Sequence, residues 1–279
     1  LRMTLEKGKL KKTVFQNRIF YAMLIPGVAL TFIFSYLPMY GVVLAFKEYS
    51  IRAGILGSKW VGLANFKTLF DIPQFWVAFK NTLVINLLKL VFAFPVPIVL
   101  AVMINSVETS YIKRPLQTIL YLPHFVSWVI VAGIVFSLLD ENGFLYQMLE
   151  KFGVKDFDIL ADKGGFLAIL ILSDIWKEAG WSAIIYLAAL TSISGEYYEA
   201  AKVDGASYLR QYVCIMLPSM GPAVAAQVIF MFVGNWNDFF APSLYLTVEK
   251  VMTLQLMLKS LSDSKVDLPV SFAGAVIAS

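Results

Sequence analysis

Six long apolar segments dominate the chain and decide what it can fold into. They run over residues 20–46, 82–104, 115–139, 164–190 and 219–246, with a sixth beginning near residue 270. The first five are at least as long as the about 20 residues that an α-helix needs to cross a bilayer. Hydrocarbon offers no partner to a free N–H or C=O, so each segment must close its hydrogen bonds internally, as a helix. The runs are continuously apolar and do not alternate, which argues against a β-barrel. The expectation is an all-α, polytopic integral membrane protein with six transmembrane helices, the last truncated at Ser279.

Composition supports this. With 59% hydrophobic and 15% charged residues, 279 residues cannot hide their apolar side chains in one soluble core. A single Cys214 excludes an internal disulfide, and with a single His124 it leaves too few ligands for a zinc site. The net charge of +4 reads as membrane orientation, not nucleic-acid affinity. Arg2, Lys7, Lys9, Lys11, Lys12 and Arg18 precede the first span against Glu6 alone, so residues 1–19 read as a cytoplasmic arm. Residues 20–279 then form one transmembrane domain. Loops 105–114 and 194–218 fall inside, and 47–80, 140–163 and 247–269 outside. Inside segments carry 10 Lys and Arg against 5 Asp and Glu, and outside segments 11 against 11. The apolar run after the arm is too long for a signal-peptide core and has no small-residue cleavage site.

Pro26, Pro38, Pro95, Pro97, Pro123 and Pro242 fall inside spans, where each removes a backbone donor and favours a kink. Bundle packing and gating hinges both fit them. Gly153 and Gly164-Gly165 read as loop punctuation.

The inner loop 194–218 contains Glu199-Ala200-Ala201, good helix formers, followed by Leu209, Tyr212 and Val213 at helical spacing. Gly205 interrupts the pattern and can take the positive φ of a tight turn. Asp204 suits the cap of the second short helix, and Pro218 the first turn of the next span. The expected product is a helix–turn–helix finger joined rigidly to span 5.

Ionisable and amide residues inside spans are costly and mark functional positions. Span 4 carries Asp174, Lys177 and Glu178, and span 5 carries Asn235, Asn237 and Asp238. Asp174 and Glu178 share a helical face, as do Asn235 and Asp238. With Trp176, Trp181, Trp236 and Phe239 nearby, these groups suit a sugar path, hydroxyls bonding to the polar groups while an apolar sugar face rests on a ring. A neutralising salt bridge, Asp174–Lys177 or Lys177–Glu178, fits the same spacing. Lys89, alone in span 2, reads as snorkelling or paired.

The string Glu199-Ala200-Ala201, Asp204-Gly205-Ala206, Tyr212, Ile215, Leu217-Pro218 and Pro222 resembles the "EAA" loop of permease subunits of binding-protein-dependent ABC importers. Trp236-Asn237-Asp238-Phe239 resembles a stretch common in carbohydrate permeases. Tyr36-Leu37-Pro38-Met39-Tyr40-Gly41, Trp60-Val61-Gly62-Leu63 with Asn65-Phe66, Asn81-Thr82-Leu83 and Tyr121 to Trp128 look like the polysaccharide/oligosaccharide-type branch. The resemblance spans about residues 18–246.

It implies a type I ABC importer permease fold in a bacterial cytoplasmic (inner) membrane. It also implies a second homologous permease, two ABC ATPases that carry ATP and Mg, and an external or periplasmic sugar-binding protein. No cofactor binds this chain, lipid is its surroundings, and nucleic acid is no partner. Glu199, Ala200, Ala201, Asp204, Gly205, Ala206, Leu217 and Pro218 would couple to the ATPase. Asp174, Lys177, Glu178, Asn235, Trp236, Asn237 and Asp238 would line the path of an oligosaccharide moved by alternating access. Alignment to the maltose type places Asp174, Glu178, Asn235 and Asp238 on its sugar site, but Asp174 stands where Asn is expected, Glu178 where Gly is, and Asp238 where Asn is. Gly57, Trp60 and Gly62 in an outer loop could help dock the binding protein. The chain has no phosphate loop or catalytic constellation and is not expected to be an enzyme. The competing class is a secondary transporter, with Asp174, Glu178 and Asp238 as proton or sodium sites.

Overall fold

The computed structural model describes residues 16–151, 159, 162–245, 251–263 and 268–278. The basic residues at 2–12 and Gly153 lie outside them. Each expected apolar segment is mostly helical over its described residues, with breaks in two of them, and the only strands among the described residues are two residues each. The chain divides into two compact units: residues 1–71 with 261–277 and 279, and residues 72–260 with 278.

In the smaller unit, α1 (Arg18–Phe46, 29 residues) is apolar and almost wholly exposed. A β-hairpin follows, β1 (Lys47–Glu48) pairing antiparallel with β2 (Lys59–Trp60). Here the Trp60 to Phe66 motif is structural. Trp60 stacks on Phe46 at 5.6 Å, and Asn65 donates to the carbonyls of Ala45 (2.9 Å) and Lys47 (3.0 Å).

The larger unit holds α2 (Pro73–Asn105), α3 (Ser110–Tyr121), α4 (Trp128–Leu139) and α5 (Lys163–Thr191). It continues with α6 (Gly195–Val203), α7 (Tyr208–Gln211, extended by Tyr212–Met216 and Leu217–Ser219), α8 (Gly221–Asn237) and α9 (Phe240–Tyr245). One further helix, α10 (Leu254–Asp263), passes into the smaller unit, to which α11 (Leu268–Ala278) belongs except for its last residue. By length and hydropathy α1, α2 and Trp128–Met148 qualify as spans, and the bent pair Tyr212–Ser219 with Gly221–Asn237 makes a fourth. At 29 residues α5 is long enough, but Asp174, Lys177 and Glu178 interrupt its apolar character.

Two spans are less continuous than the sequence suggests. Residues 115–121 belong to the amphipathic α3, and a 3-10 turn (Leu122–Phe125) breaks the chain before α4, whose first turn is capped by Ser127. Pro123 therefore sits in a break, not a kinked helix. Span 5 bends by 65° at Met220 and stops again at Asp238. Gly164 and Gly165 are not loop residues: they form the first turn of α5, where Asp162 accepts from the Gly165 N–H at 2.9 Å.

Three prolines share one device. Phe32–Tyr36, Lys89–Ala93 and Tyr212–Met216 are π-helical, and each closes with an i→i+5 bond donated by Leu37, Phe94 or Leu217. The next residue is Pro38, Pro95 or Pro218 in turn. A proline ring collides with the carbonyl four residues back and cannot donate to it, so the turn widens by one residue ahead of it.

The core of the larger unit joins α2 and α5 through Ile98, Ala101, Ile104, Ala183, Tyr186 and Leu190, with Met220. Polar ties fix its other end. Thr82 accepts from the Leu254 N–H (2.8 Å), Asn81 donates to the Met252 carbonyl (3.0 Å), and Lys163 donates to Asn81 (3.0 Å). The Asn81-Thr82 motif thus anchors the segment after residue 250.

Candidate functional site

A cavity of about 300 Å³ opens between α2, α5 and α8, all in the larger unit. Asp174, Glu178 and Ser182 line it from α5, Gln227 and Asn235 from α8, and Phe94 from α2. The spacing of 174, 178 and 182 places three polar groups on one helical face, as expected for the first two.

Asp174 does not pair with Lys177. Its partner is Lys89 of α2, whose ammonium lies 3.0 Å from Asp174 Oδ1 and 2.8 Å from Asn235 Oδ1. The Lys89 side chain is 2% exposed, so it is neither snorkelling nor reachable by a solute. One lysine thus ties three helices. It also fixes the Asn235 amide, because an ammonium only donates and must face the oxygen.

The second lysine pairing is observed. Lys177 lies 3.1 Å from Glu178 Oε1 and donates to the His124 carbonyl at 2.6 Å, with its ammonium over the Trp128 ring. Glu178 Oε2 is 2.7 Å from His124 Nδ1, and for an ionised carboxylate the proton sits on that nitrogen. His124 is stacked on Trp181. The break before α4 is therefore pinned to α5 by a freed carbonyl and an imidazole of the same residue. Just before the break, the end of α3 approaches α5 so closely that a Cβ on Gly180 would fall 1.9 Å from the Leu120 carbonyl oxygen.

The remaining sequence candidates are occupied elsewhere. Asn235 and Asp238 do not share a helical face, because α8 ends at Asn237 and Asp238 caps α9 by accepting from Phe240 N (3.0 Å) and Ala241 N (3.2 Å). Asn237 bonds Gln255 of α10 at 3.2 Å, and Trp236 stacks on Phe232 at 5.8 Å. Lys89, His124, Ser182 and Gln227 are additions to the residues the sequence singles out for the path. For Lys89 the available signal is a lone lysine in an apolar span.

In the segment 194–219, Ser194 caps α6 and Glu196 opposes the helix dipole in its first turn. The helix ends in a Schellman turn, with Ala206 N bonding the Ala201 carbonyl (2.9 Å) and Gly205 N the Lys202 carbonyl (3.0 Å). Gly205 takes φ +72°, the positive φ expected. Asp204 is the C-terminal cap residue of α6, not the cap of the next helix. Ser207 holds that place, accepting from the Arg210 N–H at 3.4 Å. Pro218 lies within α7, and Pro222 is the proline in the first turn of α8. The junction is therefore bent at Met220 and not a straight continuation. Glu199, Ala200, Asp204 and Gly205 are exposed, whereas Ala201 is buried. Burial pushes the Tyr198 phenol above its usual pKa, and its hydroxyl has no hydrogen-bond partner among the described residues.

Known proteins resemble this chain in sequence and in fold. Polygalacturonan/rhamnogalacturonan transport system permease protein YteP of Bacillus subtilis (strain 168) is 43% identical over 225 residues, covering 80% of this chain and 70% of that protein. Protein LplB of the same organism is 38% identical over 232 residues, 83% of this chain and 73% of LplB. The crystal structure of a bacterial ABC transporter involved in the import of the acidic polysaccharide alginate contains a chain with TM-score 0.81 at 35% identity, covering 96% of this chain and 92% of that one. The bacterial alginate ABC transporter in complex with an alginate pentasaccharide-bound periplasmic protein gives TM-score 0.82 at 35% identity, covering 97% of this chain and 92% of that one. The fold is that of a type I ABC importer permease, and the chain is a membrane permease of sugar or polysaccharide transport. Residues 93–279 match the defining domain, and the chain belongs to the family of binding-protein-dependent transport system inner membrane components.

Proposed function

We propose that this permease imports an oligosaccharide by alternating access, driven by ATP hydrolysis on two separate ATPase subunits that bind Mg and nucleotide. A second homologous permease completes the pathway, and an external sugar-binding protein delivers the substrate. The N-terminus is cytoplasmic. One observation carries the reading: the exposed α6–α7 finger, closed by Gly205 at φ +72° and joined through the 65° bend at Met220 to the helix that bears Asn235. Glu199, Ala200, Ala201, Asp204, Gly205, Ala206, Leu217 and Pro218 form the coupling end. Asp174, Glu178 and Asn235, joined by Ser182 and Gln227, face the sugar. Lys177, Trp236, Asn237 and Asp238 support those positions without lining the cavity.

The ion-driven alternative has less support, since Asp174 and Glu178 each already hold a lysine. The relatives' names speak for saccharides: polygalacturonan and rhamnogalacturonan for one, and alginate for the matched structure. The test is reconstitution of the chain with its partner permease, ATPases and binding protein in proteoliposomes. ATP-dependent sugar uptake that stops when the ATPases are left out supports the reading. Uptake by this chain under an ion gradient without them defeats it.

A further inference from the structure

We infer that Lys89 determines specificity in the cavity: by holding Asp174 and Asn235, it makes the wall acceptable to a sugar unit that carries a carboxylate. This rests on the reading of the cavity as part of the sugar path.

Two carboxylates, Asp174 and Glu178, stand on the wall. Left alone, they would repel an acidic sugar strongly, because screening is weak in a low-dielectric interior. Each has its own lysine, Lys89 at 3.0 Å and Lys177 at 3.1 Å, so both carboxylates that line the wall are paired. Lys89 does a second thing. Its ammonium takes the Asn235 oxygen at 2.8 Å, which leaves the amide NH2 as the group that can face the cavity, without a protein partner among the described residues. A carboxylate only accepts hydrogen bonds, whereas a hydroxyl donates or accepts. A neutral sugar can therefore use Asn235 in either orientation, and an acidic one only in the orientation that Lys89 imposes. Since Lys89 is 2% exposed, it acts through these two residues and is a positioning residue.

The experiment compares uptake of trigalacturonate with uptake of its methyl ester, a neutral probe of equal length, by the reconstituted complex with its binding protein. The same binding protein serves every variant, so a change in the acid-to-ester ratio belongs to the permease. Lys89→Met is expected to lower that ratio at least tenfold, and adding Asp174→Asn to raise it again, because the repelling charge is gone. Equal loss of both sugars in Lys89→Met means a structural tie only and overturns the inference, as does a wild-type complex that takes only the ester. A wild-type complex that hydrolyses ATP but takes up no saccharide at all overturns the underlying functional reading instead. If Lys89→Met fails to assemble, Lys89→Met/Asp174→Asn, which removes both members of the ion pair, carries the test. Its ratio should still fall below wild type about threefold, since Asn235 is free to turn, and an unchanged ratio overturns the inference.

Discussion

His124 lies flat on Trp181, ring centroids 4.4 Å apart and planes 5° from parallel, while its Nδ1 reaches Glu178 at 2.7 Å. These contacts join the break before α4 to α5 beside the cavity. A 3-10 turn has poor internal hydrogen bonding, so it depends on such outside partners. His124→Phe keeps the stack and loses the bond, costing about 1 kcal/mol. His124→Ala also loses an aromatic pair of about 0.5–1.5 kcal/mol. Thermal unfolding of the detergent-solubilised complex should rank wild type above Phe above Ala. Phe falling level with Ala would deny the stack any role.

Gly180 sets how near α5 comes to the end of α3. An added Cβ would meet the Leu120 backbone oxygen at 1.9 Å, and backbone cannot rotate away as a side chain can. Gly180→Ala must push the two elements apart, at about 1–3 kcal/mol or more, despite alanine's better helix propensity. A melting temperature at or above wild type would show that the contact is slack.

The finger separates strain from packing. A Cβ added at Gly205 would meet no atom within 4 Å, yet φ there is +72°. Substitution therefore costs backbone strain alone, about 1–2 kcal/mol for alanine and less for asparagine. Uptake coupled to ATP hydrolysis should decline in the order Gly, Asn, Ala, Val, with the complex still assembled. Wild-type coupling in Gly205→Val would remove the finger from the transmission path.

Tyr198 buries a hydroxyl with no partner among the described residues. Deleting an unsatisfied buried group recovers its desolvation cost, about 1 kcal/mol, so Tyr198→Phe should leave the complex as stable as wild type or more so. A clear fall in melting temperature would mean that the hydroxyl has a partner in the assembly.

How legible all this was in sequence depended on the range of the interactions. The apolar runs and the Gly205 turn are local, set by hydrophobic length and by one residue's φ preference, and the chain announced both. Lys89 with Asp174 is 85 residues apart, and Lys89 with Asn235 is 146. Helical spacing offered Asp174 only its neighbour Lys177, because spacing knows nothing of which face meets which helix. Asn235 and Asp238 failed for a different reason: their shared face required α8 to continue, and Asp238 ended it by capping the next helix. The break at Pro123 had a visible cause in the proline, but an apolar run reads as continuous whether or not its hydrogen bonds are.

The capping of the finger gives the sharpest local test, because Asp204 and Ser207 compete for one role three residues apart. Asp204 closes α6 through its backbone, whereas the Ser207 hydroxyl accepts from Arg210 N at 3.4 Å. Ser207→Ala should destabilise the start of α7 by about 0.5–1 kcal/mol, raising amide exchange at residues 210 and 211 roughly two- to fivefold. Asp204→Ala should leave those amides unchanged, since its side chain makes no bond to them. The bond from Gln211 Nε2 to the Ala206 carbonyl, 2.8 Å, limits the fraying in either variant. The opposite ranking, with Asp204→Ala exposing residues 210 and 211 and Ser207→Ala silent, would restore the aspartate as the cap.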